Sequence, residues 1–267
     1  MKLAFSTLGC PDWRWSDIFS TACDLKFHGI EVRGVANQLN VTKIRAFDSE
    51  HIEKTMDKLN AAGMGISMLT SNISVGIPYE NPVEEAQGYI DLAQKLGCPY
   101  VRIMITNHPQ PEECDLEQGR TLYEQMCRYA EGKGVTPLIE TNGVLADSEA
   151  MLDFIEQVDS KNKGVLWDIH HPFRFFGEDP HETFRNIGRY VRYIHVKDSV
   201  SHDGVIAYRM MGYGDVPVFD ALKVLKENGY DGTVSLEWVK RWNPDLEEPG
   251  IVFAHFMSYI TFLMGRL

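Results

Sequence analysis

Short β-branched runs alternate with longer segments of helical character along the whole chain, and this alternation limits the possible folds. In segments 49–63 and 82–97, for example, apolar residues recur every three or four positions and a glycine follows. The β-branched runs are KLAFST (2–7), GIEVRG (29–34), GISMLTS (65–71), YVRIMIT (100–106), TPLIETN (136–142), GVLWDI (164–169), VRYIHVKD (191–198) and GTVSLEWV (232–239). Repeated βα units of this kind predict a parallel sheet flanked by helices.

Eight such units in 267 residues predict an α/β protein with a closed (β/α)₈ barrel, or TIM barrel, in a single domain over residues 1–267. A barrel of this type needs roughly 250 residues. The structural alternative is a doubly wound open sheet, which usually carries a glycine-rich phosphate turn after its first strand. The stretch STLGCPDW (6–13) has no GxGxxG pattern, so the barrel is favoured.

The formal net charge of -12 argues against nucleic acid as a partner, because an acidic surface repels phosphate backbones. The five cysteines are odd in number and form no CxxC pair, which is typical of reduced thiols and predicts a cytoplasmic protein.

The N-terminal apolar run is too short for a signal peptide. The longest apolar tract, 251–265, is too short to span a bilayer, so we expect no membrane association and a buried helix there.

Four successive runs deliver a carboxylate or an imidazole near their ends, where TIM barrels carry their chemistry. These residues are Glu140, Asp168, His195 and Glu237. Each one alone could have no functional role, as a solvated charge in a loop or a histidine packed in the core. Their joint occurrence at matching places predicts a site for one divalent metal ion. Hard oxygen ligands with one imidazole and no thiolate suit Mn²⁺, Mg²⁺, Co²⁺ or Zn²⁺.

The chain resembles the sugar isomerase/epimerase family with the xylose isomerase-like barrel over nearly its whole length. The stretches that carry the resemblance are DLKFHGIEVRG, LIETNG, WDIHHP, YIHVKD, MGYGDVPVFDAL and DGTVSLEW. This family includes ketose 3-epimerases, hydroxypyruvate isomerase, inosose dehydratase and endonuclease IV. The motifs specify the superfamily well and the substrate poorly.

The resemblance implies that the four ligand residues bind one metal ion, with Mn²⁺ the expected ion. It implies that Glu140 and Glu237 form the acid/base pair of an enediolate mechanism. It also implies substrate contacts for His171, three residues after the aspartate, and for Glu31 and Lys197, which match family positions on the second and seventh strands. His170 is assigned a structural role. Arg209, in the long loop after the seventh run, is a further substrate-binding candidate.

The implied function is a divalent-metal-dependent isomerase or epimerase of a sugar, a sugar phosphate or a keto acid. A lyase of the inosose dehydratase type, or one that cleaves C-glycosides, would share the same site and stays open. An endonuclease IV-type nuclease needs extra histidines on strands two to four, where only His108 follows the fourth run. A small-molecule sugar is the expected partner. Pairing of copies through the helical rim is an open alternative to a monomer.

Three weaker signals concern the rim of the predicted barrel. Gly212 and Gly214 would allow phosphate to approach the backbone, although a flexible turn is the better explanation of so short a motif. Polar residues that could orient hydroxyl groups, or simply form turns, are Asn72, Asn107, His108 and Asn142. Aromatic residues that could form an apolar wall for a sugar are Trp13, Trp15, Phe173, Phe175, Phe176 and Trp238.

Overall fold

Eight parallel strands close into a barrel in the computed structural model, which describes all 267 residues. The chain has ten strands, β1 (Lys2–Ser6), β2 (Gly29–Val32), β3 (Gly65–Ser74), β4 (Tyr100–Met104), β5 (Thr136–Glu140), β6 (Gly164–Asp168), β7 (Val191–Val196), β8 (Asp198–His202), β9 (Val205–Arg209) and β10 (Thr233–Leu236). The order around the barrel is β1-β10-β7-β6-β5-β4-β3-β2, and the pairing of β1 with β2 closes the ring. The predicted TIM barrel is confirmed, with all eight predicted strands in place.

Eight helices surround the barrel. They are α1 (Trp15–Asp24), α2 (Ile52–Ala61), α3 (Pro82–Lys95), α4 (Leu116–Ala130), α5 (Ser148–Glu156), α6 (Pro180–Ile187), α7 (Val218–Glu227) and α8 (Pro249–Met264). Aspartate side chains accept backbone N–H groups at the starts of α4, α5 and α6, which fixes where these helices begin. Helices α2 and α3 lie within the two segments in which helical spacing was recognised.

The C-terminal helix α8 is only partly buried, so the prediction of a buried helix holds for one face. Phe253 and Phe256 pack in the core, whereas Ile251 and Phe262 are 60% and 53% exposed. No helix of the structure combines the length and the apolar character needed to cross a membrane.

The segment after β7 differs from the expected simple βα unit. Strands β8 and β9 pair as an antiparallel hairpin outside the barrel, so the predicted strand 191–198 ends at Val196. The Asp198 carboxylate accepts N–H groups from Gly212, Gly214 and Val216, at 2.8, 2.9 and 3.2 Å. These bonds tie the loop after the hairpin to the first residue of β8. Apolar periodicity did not reveal the hairpin because neither strand shows an alternation of buried and exposed residues.

An apolar layer inside the barrel forms the floor of the site. Its buried members are Met68, Leu138, Leu166 and Tyr193. Side chains two residues apart on a strand point to the same side of the sheet. Glu140, Asp168 and His195 each follow one of these residues by two positions, so they form the next layer toward the carboxyl ends of the strands.

Candidate active site

The four predicted ligand residues come together in one buried cluster. The Nδ1 atom of His195 lies 3.4 Å from Oε1 of Glu140, 3.6 Å from Oε1 of Glu237 and 3.8 Å from Oδ2 of Asp168. All four residues are buried, and their donor atoms lie within 4.8 Å of one another. Four strands of the barrel thus aim one donor each at a common point, as the sequence predicts.

Two of these donor atoms have no hydrogen-bond partner, although both are buried. They are Oε1 of Glu140 and Nδ1 of His195, which face each other across the cluster. A buried polar atom without a partner is costly and calls for a ligand or water. Donors that bind one tetrahedral ion at about 2.1 Å lie roughly 3.4 Å apart, close to the spacing found here. The donor set therefore fits a divalent metal ion.

Glu31 lies on the far side of His195 from the cluster. Its Oε2 atom is 2.9 Å from Nε2 of His195, and its Oε1 atom accepts a hydrogen bond from Oγ1 of Thr70 at 2.9 Å. The side chain is fully buried and does not line the cavity. This carboxylate therefore orients the imidazole of His195, and its contact with a substrate stays a prediction.

Two buried cations hold the carboxylates of the cluster. The ammonium of Lys197 forms ion pairs with Asp168 and with Oε2 of Glu237, the latter at 2.6 Å. The guanidinium of Arg102 lies 3.2 Å from Oε2 of Glu140 and 3.5 Å from Oε1 of Glu237. Lys197 lines the cavity as expected for a substrate-binding residue, but its charge is already paired with the cluster.

These cations keep the glutamates ionised. Burial raises the pKa of Glu140, but the nearby charges of Arg102 and His195 outweigh it and lower the pKa to about 2. Burial likewise raises the pKa of Glu237, and the charges of Lys197, His195 and Arg102 bring it well below its usual range. Both side chains are carboxylates at neutral pH, the form that accepts a proton.

His171 and His170 point in different directions. Nδ1 of His171 donates to the carbonyl oxygen of Thr141 at 2.8 Å, which leaves Nε2 beside Oδ2 of Asp168 at 3.5 Å, and the ring lines the cavity. His170 points away, with Nε2 at 2.9 Å from Oγ of Ser199, and its backbone N–H donates to Oδ1 of Asp168. Only His171 is positioned to meet a substrate.

A cavity of about 900 Å³ opens above the cluster, within the size range of sites for small molecules. The polar residues singled out from the sequence, Asn72, Asn107, His108 and Asn142, all line it. None of the six suggested aromatic residues does so. Trp238, for example, is buried and donates its indole N–H to the carbonyl oxygen of Glu247. The aromatic walls are instead Tyr79, Tyr208 and Trp242.

Two candidate binding features of the loops after β7 lie outside the cavity. Arg209 ends β9 with an exposed side chain that donates to the carbonyl oxygen of Tyr208, and it does not line the cavity. The N–H groups of Gly212 and Gly214 are bound by Asp198, so this loop offers no free donors for phosphate. A Cβ atom at position 214 would lie 2.0 Å from Oδ1 of Asp198, so only glycine allows the Asp198 carboxylate to approach the backbone here.

Sequence reasoning missed Arg33 and Arg102, both buried and both lining the cavity. Arg102 lies two residues after Tyr100 in β4, on the strand face that points into the barrel. A charged residue at an inward position of an apolar strand was the available signal. Arg33 directly follows β2 and carried no comparable signal.

A sequence model described as the xylose isomerase-like TIM barrel matches residues 19–252. The chain belongs to this family. This xylose isomerase-like barrel is also 29% identical, over 133 residues, to an uncharacterized protein of Methanocaldococcus jannaschii. That match covers 46% of this chain and 43% of the other protein, so the chain spans less than half the length of this curated relative.

Solved structures share the fold of this xylose isomerase-like barrel at low sequence identity. The probable 3-DHS dehydratase AsbF of Bacillus anthracis has a TM-score of 0.79 and 17% identity, covering 98% of this chain and 99% of that one. The IOLI protein with bound zinc has a TM-score of 0.79 and 16% identity, covering 100% and 99%. D-psicose 3-epimerase of Clostridium cellulolyticum H10, solved with D-tagatose, has a TM-score of 0.77 and 16% identity, covering 99% of both chains.

Proposed function

We propose that this protein is a divalent-metal-dependent isomerase or epimerase of a sugar or a keto acid. The observation that carries the proposal is the pair of buried, unpartnered donor atoms, Oε1 of Glu140 and Nδ1 of His195, that converge with Asp168 and Glu237. A dehydratase, a zinc-binding protein and a ketose epimerase with the same fold support a chemistry of this kind. Glu140, Asp168, His195 and Glu237 would hold the ion, with Mn²⁺ expected.

A bound divalent ion would act as a Lewis acid, stabilising negative charge that develops on substrate oxygen. Glu140 and Glu237 would move the proton. Each has one oxygen toward Nδ1 of His195 and the other on a cation, Arg102 for Glu140 and Lys197 for Glu237. These contacts fix both carboxylates at separate positions in the cavity wall. Removal of a proton by one glutamate and its return by the other would invert a carbon centre, whereas return to the neighbouring carbon would isomerise the substrate.

His171 would contact a substrate hydroxyl or carbonyl oxygen. Its Nδ1–H is fixed by the carbonyl of Thr141, so the unprotonated Nε2 faces the cavity as an acceptor. The polar side chains of Asn72, Asn107 and Asn142 would orient further hydroxyl groups around the ring of the cavity.

Lyase chemistry is the alternative that one feature of the site favours. The ammonium of Lys197 is buried beside Asp168 and Glu237, and its positive charge would stabilise the negative charge that develops on a departing hydroxyl oxygen. The two reactions begin with the same proton abstraction and differ in the product.

Metal content measured by elemental analysis tests the proposal first. We expect about one Mn, Mg, Co or Zn ion per wild-type chain and its loss in Asp168→Asn. Asp153→Asn, an equal charge change on the exposed face of α5, serves as the control and should keep the ion. No metal in the wild type, with no uptake of added Mn²⁺, would contradict the proposal.

The reaction is tested next by incubating the metal-loaded protein with ketoses, keto acids, sugar phosphates and inososes in D₂O. Deuterium incorporated at a carbon next to a carbonyl, with the substrate mass otherwise unchanged, identifies epimerisation or isomerisation. A product that has lost water identifies the lyase. The absence of both deuterium exchange and water loss across this panel would count against both.

A further inference from the structure

Arg33 is a buried cation at the wall of the cavity, on the side opposite the metal-ligand strands. It follows β2 directly, its side chain is among the largest that are fully enclosed, and only 2% of the residue is exposed. It lines the cavity together with Arg102 and Lys197, which are the other lysine and arginine residues there.

Arg33 differs from these two cations because it has no acidic partner. Arg102 pairs with Glu140 and Glu237, and Lys197 pairs with Asp168 and Glu237. No carboxylate oxygen lies within 4.0 Å of the Arg33 guanidinium, since it forms none of the ion pairs of the structure. Its Nη2 donates to Oδ1 of Asn72, and its Nη1 has no hydrogen-bond partner.

A buried charge without a counter-charge is costly, and the surroundings of Arg33 offset little of that cost. The ring of Trp242 lies 5.7 Å from the guanidinium carbon, near the outer limit of a cation–π contact. Burial, followed by the nearby charge of Arg102, lowers the pKa of Arg33 to about 10. The guanidinium therefore stays charged at neutral pH and presents an unsatisfied N–H group beside the cavity.

We propose that Arg33 binds a carboxylate group of the substrate, so that the protein acts on sugar acids rather than on neutral sugars. A planar guanidinium with free N–H groups matches the two oxygens of a carboxylate. A phosphate group is less well served, because the backbone donors of Gly212 and Gly214 are already bound by Asp198. The claim that such an acid reacts at the metal-ligand cluster rests on the proposed function. The claim that its carboxylate binds at this wall of the cavity depends on Arg33 alone.

Calorimetric titration of the Mn²⁺-loaded protein with three sets of probes tests this inference. The sets are sugar acids (D-gluconate, 2-keto-D-gluconate and D-glucuronate), neutral sugars (D-fructose and D-glucose) and D-fructose 6-phosphate. We expect at least one acid to bind about ten-fold more tightly than the neutral sugars, because a charge-assisted pair at a desolvated site favours the anion. Arg33→Gln should reduce that preference to less than about two-fold. Arg185→Gln removes the same charge from an exposed position on α6 and should leave it unchanged.

The melting temperature of the ligand-free variant provides a second, independent readout. Because Arg33 is an unpaired buried charge, Arg33→Gln should melt at the same temperature as the wild type or higher. A marked fall would mean that Arg33 supports the fold, and it would overturn the inference. Failure of every acid to bind, tighter binding of the phosphate, or an acid preference that survives Arg33→Gln would overturn it as well.

The two proposals fail in different ways. If acids bind through Arg33 but no probe exchanges deuterium, the proposed function fails and the anion site stands. If neutral ketoses are turned over equally well by wild type and Arg33→Gln, the function stands and the carboxylate site is wrong.

Discussion

The carboxyl-terminal rim of the barrel consists of two halves with opposite charge. The acidic half comprises the ends of β5, β6, β7 and β10, which supply Glu140, Asp168, His195 and Glu237. The basic half comprises the ends of β2, β3 and β4, which supply Arg33, Asn72 and Arg102 to the same cavity. The two halves have the same backbone architecture, since each is built of parallel strands followed by helices. Their charges differ only because their side chains differ.

This difference suggests a division of tasks between the halves. The acidic half gathers donors that a cation would satisfy. The basic half holds one glutamate pair in its ionised form through Arg102 and offers one free positive charge through Arg33. A substrate in the cavity would touch both halves, with its reacting carbons near the carboxylates and its remote end near Arg33.

The largest expected effect comes from the glutamates of the acidic half that we propose transfer the proton. Glu140→Gln should lower kcat by about 10²- to 10⁴-fold, the usual contribution of a positioned acid or base, with the fold intact. The change is measured as deuterium exchange on whichever substrate the panel identifies, with Glu227→Gln on the exposed face of α7 as the control. An exchange rate within a few-fold of wild type would remove Glu140 from the acid/base role. It would also contradict the division of tasks between the two halves.

The second expected effect concerns the ion pairs that join the halves. Arg102→Met removes the guanidinium that Glu140 and Glu237 share, leaving buried charge without compensation. We expect the free energy of unfolding of the metal-free protein to fall by about 3 kcal/mol. A bound divalent ion would neutralise the same carboxylates, so the loss should be smaller with Mn²⁺ present. Chemical denaturation with EDTA and with Mn²⁺ measures both values, and an equal loss in the two conditions would contradict this account.

The acidic half could be predicted from the sequence because its four residues recur at the same place in consecutive βα units. Each of Glu140, Asp168 and His195 also follows an inward apolar residue by two positions, a spacing that the strand geometry fixes. The regular spacing of eight strands predicts the barrel. In a barrel the carboxyl ends of these strands lie at one rim, so the four side chains are expected to meet there.

The basic half could not be predicted in the same way because its residues share no pattern. Arg102 lies within a strand, Arg33 just after one, and neither has a counterpart on neighbouring strands. The contact of Asp198 with the loop at Gly212 to Val216 was missed for a related reason, since it joins a single residue to a segment 14 to 18 positions away. Long-range contacts of single residues leave no periodic trace in a sequence.

The third prediction concerns Glu31, which comes from β2 of the basic half but serves the acidic half. Glu31→Gln should weaken metal affinity about 10- to 100-fold, since a partner of a ligating imidazole typically contributes that much. Competition with a fluorescent chelator measures the affinity, and the KM for substrate is measured at saturating metal. A raised KM with unchanged metal affinity would restore the substrate contact that the sequence suggested for Glu31.

The smallest effect is expected at Arg209, which belongs to the hairpin and to neither half. Its guanidinium is exposed and donates only to the backbone of Tyr208. Arg209→Gln should therefore change kcat/KM by less than about two-fold and the free energy of unfolding by less than about 0.5 kcal/mol, as for other exposed substitutions. Arg33→Gln is the matched comparison, with the same side-chain change at a buried position. The hairpin already lines the cavity through Tyr208, so a loss of kcat/KM at Arg209 as large as that at Arg33 would mean that the Arg209 side chain also contacts the substrate.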